Sequence, residues 1–327
     1  MSQCPFANLL DPDTYAQGMP YDKLREIREA GPVVKIEDPL TGIAYWAVTR
    51  IEEMDAVSKN PKLFSSAERT AFPMEFGDDV LEMQKFTIIN MDPPQHQKVR
   101  RIVRNAFTPK RVESYADTFR EHAKRIVDTV ARRGECEFVE EVAAELPLIA
   151  ILELLGVPLV DRKKFFDWTN TMIFADDPDM SISEEEGQLA AMEVIGYAMG
   201  LAAQHRESPM DNITSALLDA ELEGGPISQD MFGWMFILIL VGGNESTRTV
   251  IAQGMRLLME HPDLLQYLLD NPDKISNACE EMLRYNTAFI SMRRTAMEDC
   301  DLDGQQIKKG DKVILHYHAA NHDENVF

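Results

Sequence analysis

Basic residues are scarce in this chain: 33 Lys and Arg stand against 55 Asp and Glu, for a formal net charge of −22. Nucleic-acid binders that track phosphates gain affinity when Lys and Arg displace counterions, so no nucleic acid is expected as a partner. Cysteine is scarcer still, at four residues: Cys4, Cys136, Cys279 and Cys300. They lie far apart, with no C-x-x-C pair and no His at zinc-finger spacing, which excludes a disulfide scaffold or a zinc module and points to a reducing compartment. Long hydrophobic runs are also missing. The longest, Met231 to Val241, covers 11 residues, whereas a membrane-spanning helix needs about 20. The opening Met1-Ser2-Gln3-Cys4-Pro5 has no cationic stretch leading into an apolar one, so no secretion signal is read there. Repeats, low-complexity tracts and Gly/Ser linkers are absent too. These absences describe a cytoplasmic protein that does not span a membrane, with residues 1–327 forming a single domain.

What is present is a globular composition, 45% hydrophobic and 8% aromatic, too apolar for a disordered chain. β signals sit at the two ends. Val33 to Ile36 and Ile43 to Thr49 flank the turn Asp38-Pro39-Leu40-Thr41-Gly42, and Phe289 to Thr295, Asp303-Gly304 and Val313 to Tyr317 repeat the pattern. Between them the spacing predicts helices over Pro93 to Phe107, Val112 to Ala131, Ala143 to Leu155, Asp161 to Phe174, Glu184 to Arg206, Met231 to Glu260 and Pro272 to Tyr285. The fold class is mainly α, with small β-sheets at the edges. Of the 18 methionines, a group at Met192, Met199, Met231, Met235, Met255 and Met259 reads either as adaptable core filling or as a pliable lining for an apolar ligand.

The longest predicted helix is capped by Ser228 and stopped by Pro262. Its ~30 residues would reach roughly 45 Å, far enough to cross a domain. Halfway along, Gly242-Gly243-Asn244-Glu245-Ser246-Thr247 interrupts the apolar run where burial should be deepest. Each interior Gly costs about 1 kcal/mol relative to Ala. The pair suits close helix packing, or the approach of something flat to the backbone. Hydroxyls of Ser246 and Thr247 can bond the carbonyl one turn back and bend the helix. A carboxyl at Glu245 beside an alcohol is a plausible proton relay.

Two further constellations carry charge. Asp92-Pro93-Pro94 reads as a helix start that places His96 and Arg100 four apart on one face, among Lys98, Arg101 and Arg104. In so acidic a chain this basic helix suits an anionic cofactor group or an acidic protein partner. Glu281-x-x-Arg284 sits on a helix, and Arg293-Arg294 follows in a strand whose alternation turns only one of the two inward. That inward Arg needs an anion.

Together, Asn90-Met91-Asp92-Pro93-Pro94 with His96 and Arg100, the Gly-Gly-Asn-Glu-Ser-Thr helix, Glu281-x-x-Arg284, Arg294 and Ala320-Asn321-His322-Asp323 strongly resemble the cytochrome P-450 haem-thiolate monooxygenases over nearly the whole chain. At Glu145-Leu146-Pro147, Leu155-Gly156-Val157-Pro158 and Ile195-Gly196-Tyr197-Ala198-Met199 the resemblance is closest to soluble bacterial hydroxylases of sterol side chains. Related terpene, fatty-acid and alkane hydroxylases look similar there.

The resemblance implies the P-450 fold and haem b as the iron cofactor, with His96, Arg100 and Arg294 at the propionates. Gly242 and Gly243 would lie over the haem face, and Glu245 and Ser246 would deliver protons. Glu281 and Arg284 would be a buried pair supporting the core. Leu238, Val241, Phe289 and Ile290 would line an apolar substrate pocket. It further implies O2 and electrons from NAD(P)H through a reductase and a ferredoxin docked on Lys98, Arg101, Arg104, Lys110 and Arg111. The family usually has Thr at the position of Ser246. Its iron ligand, a Cys in a Gly-containing loop, falls beyond the Asn-x-Asp segment and so beyond Phe327. On this reading the C-terminal part is missing, no metal ligand lies within the chain, and these 327 residues alone are inactive. The alternative from another class is a non-catalytic all-α binding scaffold or degenerate relative.

Overall fold

The structure, a computed structural model, describes residues 9–38, 41–104, 107–177, 179–222 and 224–327. The expectations for Cys4, the opening segment and Pro39-Leu40 lie outside them. In chain order the helices are α1 (Tyr21–Ala30), α2 (Ile51–Ser58), α3 (Asp78–Gln84), α4 (Gln95–Arg104), α5 (Pro109–Ser114), α6 (Ala116–Ala131), α7 (Glu145–Leu155), α8 (Arg162–Ile173), α9 (Glu184–Glu207), α10 (Ile213–Leu218), α11 (Gln229–Glu260), α12 (Pro262–Asp270), α13 (Ile275–Asn286) and α14 (Tyr317–Asn321). The strands are β1 (Val33–Glu37), β2 (Ala44–Val48), β3 (Phe64–Ser65), β4 (Glu221–Leu222), β5 (Gly225–Pro226), β6 (Met292–Ala296), β7 (Cys300–Leu302), β8 (Gln305–Ile307) and β9 (Lys312–Leu315). The mainly α class with small sheets is what the structure shows.

The chain folds into two compact units. The first comprises Met1–Lys85, Ile89–Pro94 and Pro262–Phe327. Its five-stranded sheet runs β1-β2-β9-β6-β3, so the β signals at the two ends of the sequence join in one sheet. β2 pairs antiparallel with β1 (Val33 opposite Val48) and parallel with β9 (Trp46 opposite Val313). Alternation sends Val33, Trp46, Val48, Val313 and Leu315 into one core. It sends Ile36, Tyr45, Ala47 and Ile314 into another, against Leu24 and Ile27 of α1. Both faces of the sheet are thus covered, which is why its strands read as near-continuous apolar runs.

The second unit, Phe86–Ile88 with Gln95–His261, is a helical layer organised by α11. Ser228 caps α11 by accepting from the Met231 amide at 3.1 Å, and the helix packs against α7 and α9. α9 opens with a capping box in which Ser183 and Glu186 satisfy each other's amides. α7 ends at Gly156 with φ +76°, a left-handed turn where a Cβ would collide with the Asn212 side chain.

Several sequence expectations are corrected. The helix carrying His96 begins at Gln95, not Pro93. Asp92 does not cap it, because its carboxylate accepts from the Ser65 hydroxyl and, at 2.9 Å, from the Ser66 amide. The expected extension toward Phe107 runs into residues outside the described set. Pro262 does not merely stop α11; it opens α12, since a proline needs no amide partner at a first helical position. A short 3-10 turn, Pro272–Lys274, precedes α13. The last expected strand ends at Leu315, and Tyr317 begins α14. β structure is not confined to the chain ends: β4 and β5 form a small hairpin in the second unit. Of the methionine group, Met231 and Met235 are core residues, whereas Met192 and Met259 are 65% and 70% exposed.

Candidate active site

α11 runs unbroken through the segment where the sequence suggests an interruption. The hydroxyls of Ser246, Thr247 and Thr249 donate to the carbonyls of Gly242, Gly243 and Glu245 at 2.8, 3.1 and 3.0 Å. The expected back-bonding therefore exists without ending the helix. The two glycines separate into two roles. A Cβ on Gly243 would lie 2.8 Å from Ile151 Cδ1, so this glycine lets α11 close on α7. A Cβ on Gly242 would meet nothing within 4 Å. Leu238 and Val241 are half-buried, as is Ser246, while Gly242 is exposed. At helical spacing Leu238, Gly242, Ser246 and Thr249 form one open face, apolar at one end and hydroxyl-bearing at the other.

Glu245 is mostly buried and forms an ion pair with Arg248, with side-chain exposures of 13% and 12%. Its Oε1 accepts from Asn244 Nδ2 at 2.7 Å. Burial raises its pKa above the ordinary carboxylate value, and Arg248 opposes that shift. Arg248 in turn donates to Asn170 Oδ1 at 2.9 Å and stands over the Phe174 ring at 5.6 Å. Asn244 is 1% exposed. Asn244 and Arg248 are the residues that sequence reasoning missed. The signal was there, since an Arg three residues after an interior Glu lies on its face.

The cationic candidates divide between the units. On α4, His96 is half-buried and Arg100 exposed. On β6, Arg293 is the inward residue at 4% exposure, and its anion is Glu75 at 2.9 Å, shared with Lys312 at 3.0 Å. Burial alone would raise the Glu75 carboxyl, but hydrogen bonds from Lys312 and Arg293 hold it below its ordinary value. Arg294 is half-buried and donates to the Arg293 carbonyl at 2.7 Å. The inward Arg therefore finds its anion within the protein, and Arg294 is the one left to reach outward.

The Glu281–Arg284 pair forms, but it is not buried as expected. Glu281 is 57% exposed and Arg284 19%. Glu281 lies on the outward side of α13, and Arg284 is drawn to the Asn321 carbonyl and to the Phe327 ring, 4.7 Å away. Of the expected pocket residues in the first unit, Phe289 is 49% exposed and Ile290 half-buried. A cleft of about 710 Å³ in the second unit is lined by His122, Arg125, Glu141, Arg162 and Phe166 among others, and by none of the expected site residues. Its mixed charges do not suit an apolar substrate.

A match to the cytochrome P450 family covers residues 163–327. Steroid C26-monooxygenase of Rhodococcus jostii is 40% identical over 326 residues, which is 97% of this chain and 68% of that protein. The chain belongs to the cytochrome P450 family. Linalool 8-monooxygenase of Pseudomonas putida is 33% identical to this P450, over 98% of the chain and 80% of that protein. A Mycobacterium marinum cytochrome P450 solved in complex with pseudoionone superposes with a TM-score of 0.86 at 32% identity, covering 94% of this chain and 77% of that one. The fold and the monooxygenase class follow from these similarities.

The residues present fit a haem on its oxygen-binding side. Gly242 leaves open space that a side chain would fill, and Ser246 places a hydroxyl one turn further on. Among the described cysteines none is fully buried. Cys136 and Cys279 are exposed. Burial and four acidic neighbours push the Cys300 thiol up, away from the thiolate form that an iron ligand requires.

Proposed function

We propose that this P450 hydroxylates an unactivated C–H bond of a hydrophobic substrate, a steroid side chain or a similar lipid or terpenoid. It uses O2 and electrons passed from NAD(P)H through a reductase and a ferredoxin, as a single cytoplasmic haem domain. The observation that carries the reading is the similarity, over nearly the whole chain, to a steroid C26-monooxygenase. The linalool 8-monooxygenase extends the class to terpenoids. Haem b, when bound, supplies the redox chemistry that activates dioxygen.

The chain's own residues bind, orient and protonate. His96, Arg100 and Arg294 are the propionate donors. Gly242 admits the flat macrocycle, while Gly243 fixes the height of α11 on Ile151. Leu238, Val241, Phe289 and Ile290 hold the substrate by removing apolar surface from water, at roughly 25 cal/mol per Å². Ser246 Oγ spends its proton on the Gly242 carbonyl and keeps a lone pair with which to accept another. Glu245, its pKa raised by burial, brings that proton from solvent when it leaves Arg248. The Glu281–Arg284 pair has a structural role, holding α13 to the segment around Asn321.

Titrating the haem-loaded protein, its chain continued to its natural end, with sterols, terpenes and fatty acids tests the substrate class. A Soret shift with sterols or branched terpenoids is expected, and no shift with any of them overturns the reading. Loss of all haem binding in the carbon-monoxide difference spectrum would favour a non-catalytic scaffold instead.

For the electron donor, the proposed docking residues are Lys98, Arg101, Arg104 and Lys110, all exposed. Arg111, expected among them, is committed to Asp211. Reversing Arg101 and Arg104 to Glu should slow reduction by an acidic ferredoxin at least about tenfold at low salt and flatten its salt dependence. Unchanged rates would remove this face from the docking site.

A further inference from the structure

α8 reaches the buried acid of α11 through one side chain. Arg248 is itself mostly buried, and its guanidinium is divided between two partners. One arm, Nη2, forms the ion pair with Glu245 Oε2. The other, Nη1, donates to Asn170 Oδ1 on α8 at 2.9 Å. The group also stands over the ring of Phe174, just past the end of α8.

Glu245 is correspondingly held from one side at a time. Its Oε1 accepts from Asn244 Nδ2 at 2.7 Å, whereas Oε2 is buried and accepts no directed hydrogen bond. Asn244 Nδ2 in turn lies 3.5 Å from Thr169 Oγ1. Both side chains that hold Glu245 therefore lean on adjacent residues of α8.

The division matters because of what an undivided guanidinium would do. Arginine and a carboxylate favour a fork-to-fork pair with two parallel N–H···O bonds, stronger and more directional than one contact. Arg248 follows Glu245 by three residues on the same helix face, so that geometry is within its reach. A carboxylate gripped in that way stays ionised and stays in place, and a proton carrier must do neither. Asn170 accepts one arm of the fork while bringing no charge of its own, so it occupies Nη1 without pulling Arg248 off Glu245. Among the described residues Arg248 is the charge that acts on Glu245. Acids on the elements packed around it are engaged elsewhere: Glu145 with Arg162, Glu153 with His122, Asp167 with Lys163 and Glu141 with Arg133. On α9, Glu193 is exposed and His205 faces Ser215.

We propose that Asn170 is a positioning residue for Glu245, dividing the Arg248 fork so that the carboxyl stays beside Ser246 yet remains free to take up a proton. The inference rests on the relay role given to Glu245 above. Asn170 acts through Arg248 and not on the reacting atoms.

Infrared difference spectra between the protein, its chain continued to its natural end, and its Glu245→Gln variant follow the protonation of this one carboxyl with pH. Asn170→Ala leaves Nη1 without its acceptor, the arm turns onto Glu245, and the carboxyl midpoint should fall by about one pH unit. Asn170→Asp sets a competing carboxylate on the same arm and a like charge near Glu245, so the midpoint should rise by about one pH unit. The alkaline limb of the turnover profile should move with it, down in the first variant and up in the second, because the relay fails once Glu245 no longer holds a proton. In an Arg248→Lys background, whose single ammonium has no second arm, Asn170→Ala should leave the midpoint unmoved. Loss of packing alone would move both Asn170 variants in one direction. Midpoints that do not move, that move the same way in both variants, or that fall equally in the Arg248→Lys background overturn the proposal. The titration needs no turnover. A protein that binds no haem or gives no Soret shift therefore defeats the monooxygenase reading, while the midpoints decide the role of Asn170 separately.

Discussion

Ser246 shows how one methyl group bears on function. Its hydroxyl donates to the Gly242 carbonyl at 2.8 Å, but a serine hydroxyl on a helix has more rotamers within reach than a threonine, whose branched Cβ restricts χ1. The neighbouring Thr247 and Thr249 make the same bond with that restriction in place. If Ser246 relays protons as proposed, the relay would be interrupted whenever the serine turns away, and reducing equivalents would then be lost as peroxide. Ser246→Thr should lower peroxide released per reductant consumed, by about twofold or more, with little change in substrate affinity. Equal leakage in the two proteins would show that Ser246 orientation does not limit coupling. Glu245 is anchored differently, since Arg248 and Asn244 both hold it. Its substitution should slow turnover by restricting proton supply without freeing peroxide in the same way.

At the scale of elements, the adjacent glycines of α11 make opposite predictions from the same substitution. Gly242→Ala adds a methyl group in open space and should stabilise the haem-free chain by up to about 1 kcal/mol through helix propensity. It should also weaken haem uptake, because the methyl occupies the room the macrocycle needs. Gly243→Ala gains the same propensity but drives a Cβ to 2.8 Å from Ile151 Cδ1. Overpacking of that kind costs roughly 1–3 kcal/mol, so the net effect should be destabilising. Urea unfolding of both variants gives the two signs, and the prediction fails if they agree.

The glycine pair also marks where the sequence was readable. Its periodicity and capping gave α11 almost to its ends, because an apolar face, a Ser cap and a following Pro act locally. Which glycine packs on α7 and which stays open depends on Ile151, nearly a hundred residues away, and no local pattern carries that. The same holds for Arg293 and Arg294. Alternation showed that one turns inward, but only the loop placing Glu75 beside Lys312 decides which. Glu281 was misjudged for a related reason, since spacing gives the partner but not the side of α13 that faces solvent.

On the scale of the whole molecule, acid stability is set by histidines that the proposed chemistry does not use. His316 and His318 are 0% and 1% exposed, and no ring nitrogen of either finds a hydrogen-bond partner. Burial lowers their pKa to about 4 and about 3, with His322 adding repulsion at His318. Burial lowers His322 as well. All three stand at or beside α14 in the first unit. Unfolded, each would titrate near 6.5. A group whose folded pKa is depressed leaves the unfolded state holding more protons. Stability is therefore complete above about pH 6.5 and declines as pH falls toward the folded values. Each histidine contributes a slope of up to about 1.4 kcal/mol per pH unit. The carboxylates held low by their partners, Glu75 and Asp323 among them, add their own loss only below about pH 4.5. Between pH 6.5 and 5 these histidines act together with His205, which burial also lowers, and outnumber Glu245, whose raised carboxyl takes up a proton in the folded state and opposes the slope, so urea midpoints should fall across that window. His316→Leu should remove about one proton from the slope there while leaving the steeper loss below pH 4.5 in place. Midpoints that stay flat from pH 7.5 to 5 would mean that these imidazoles gain partners in solution and are not held neutral by burial.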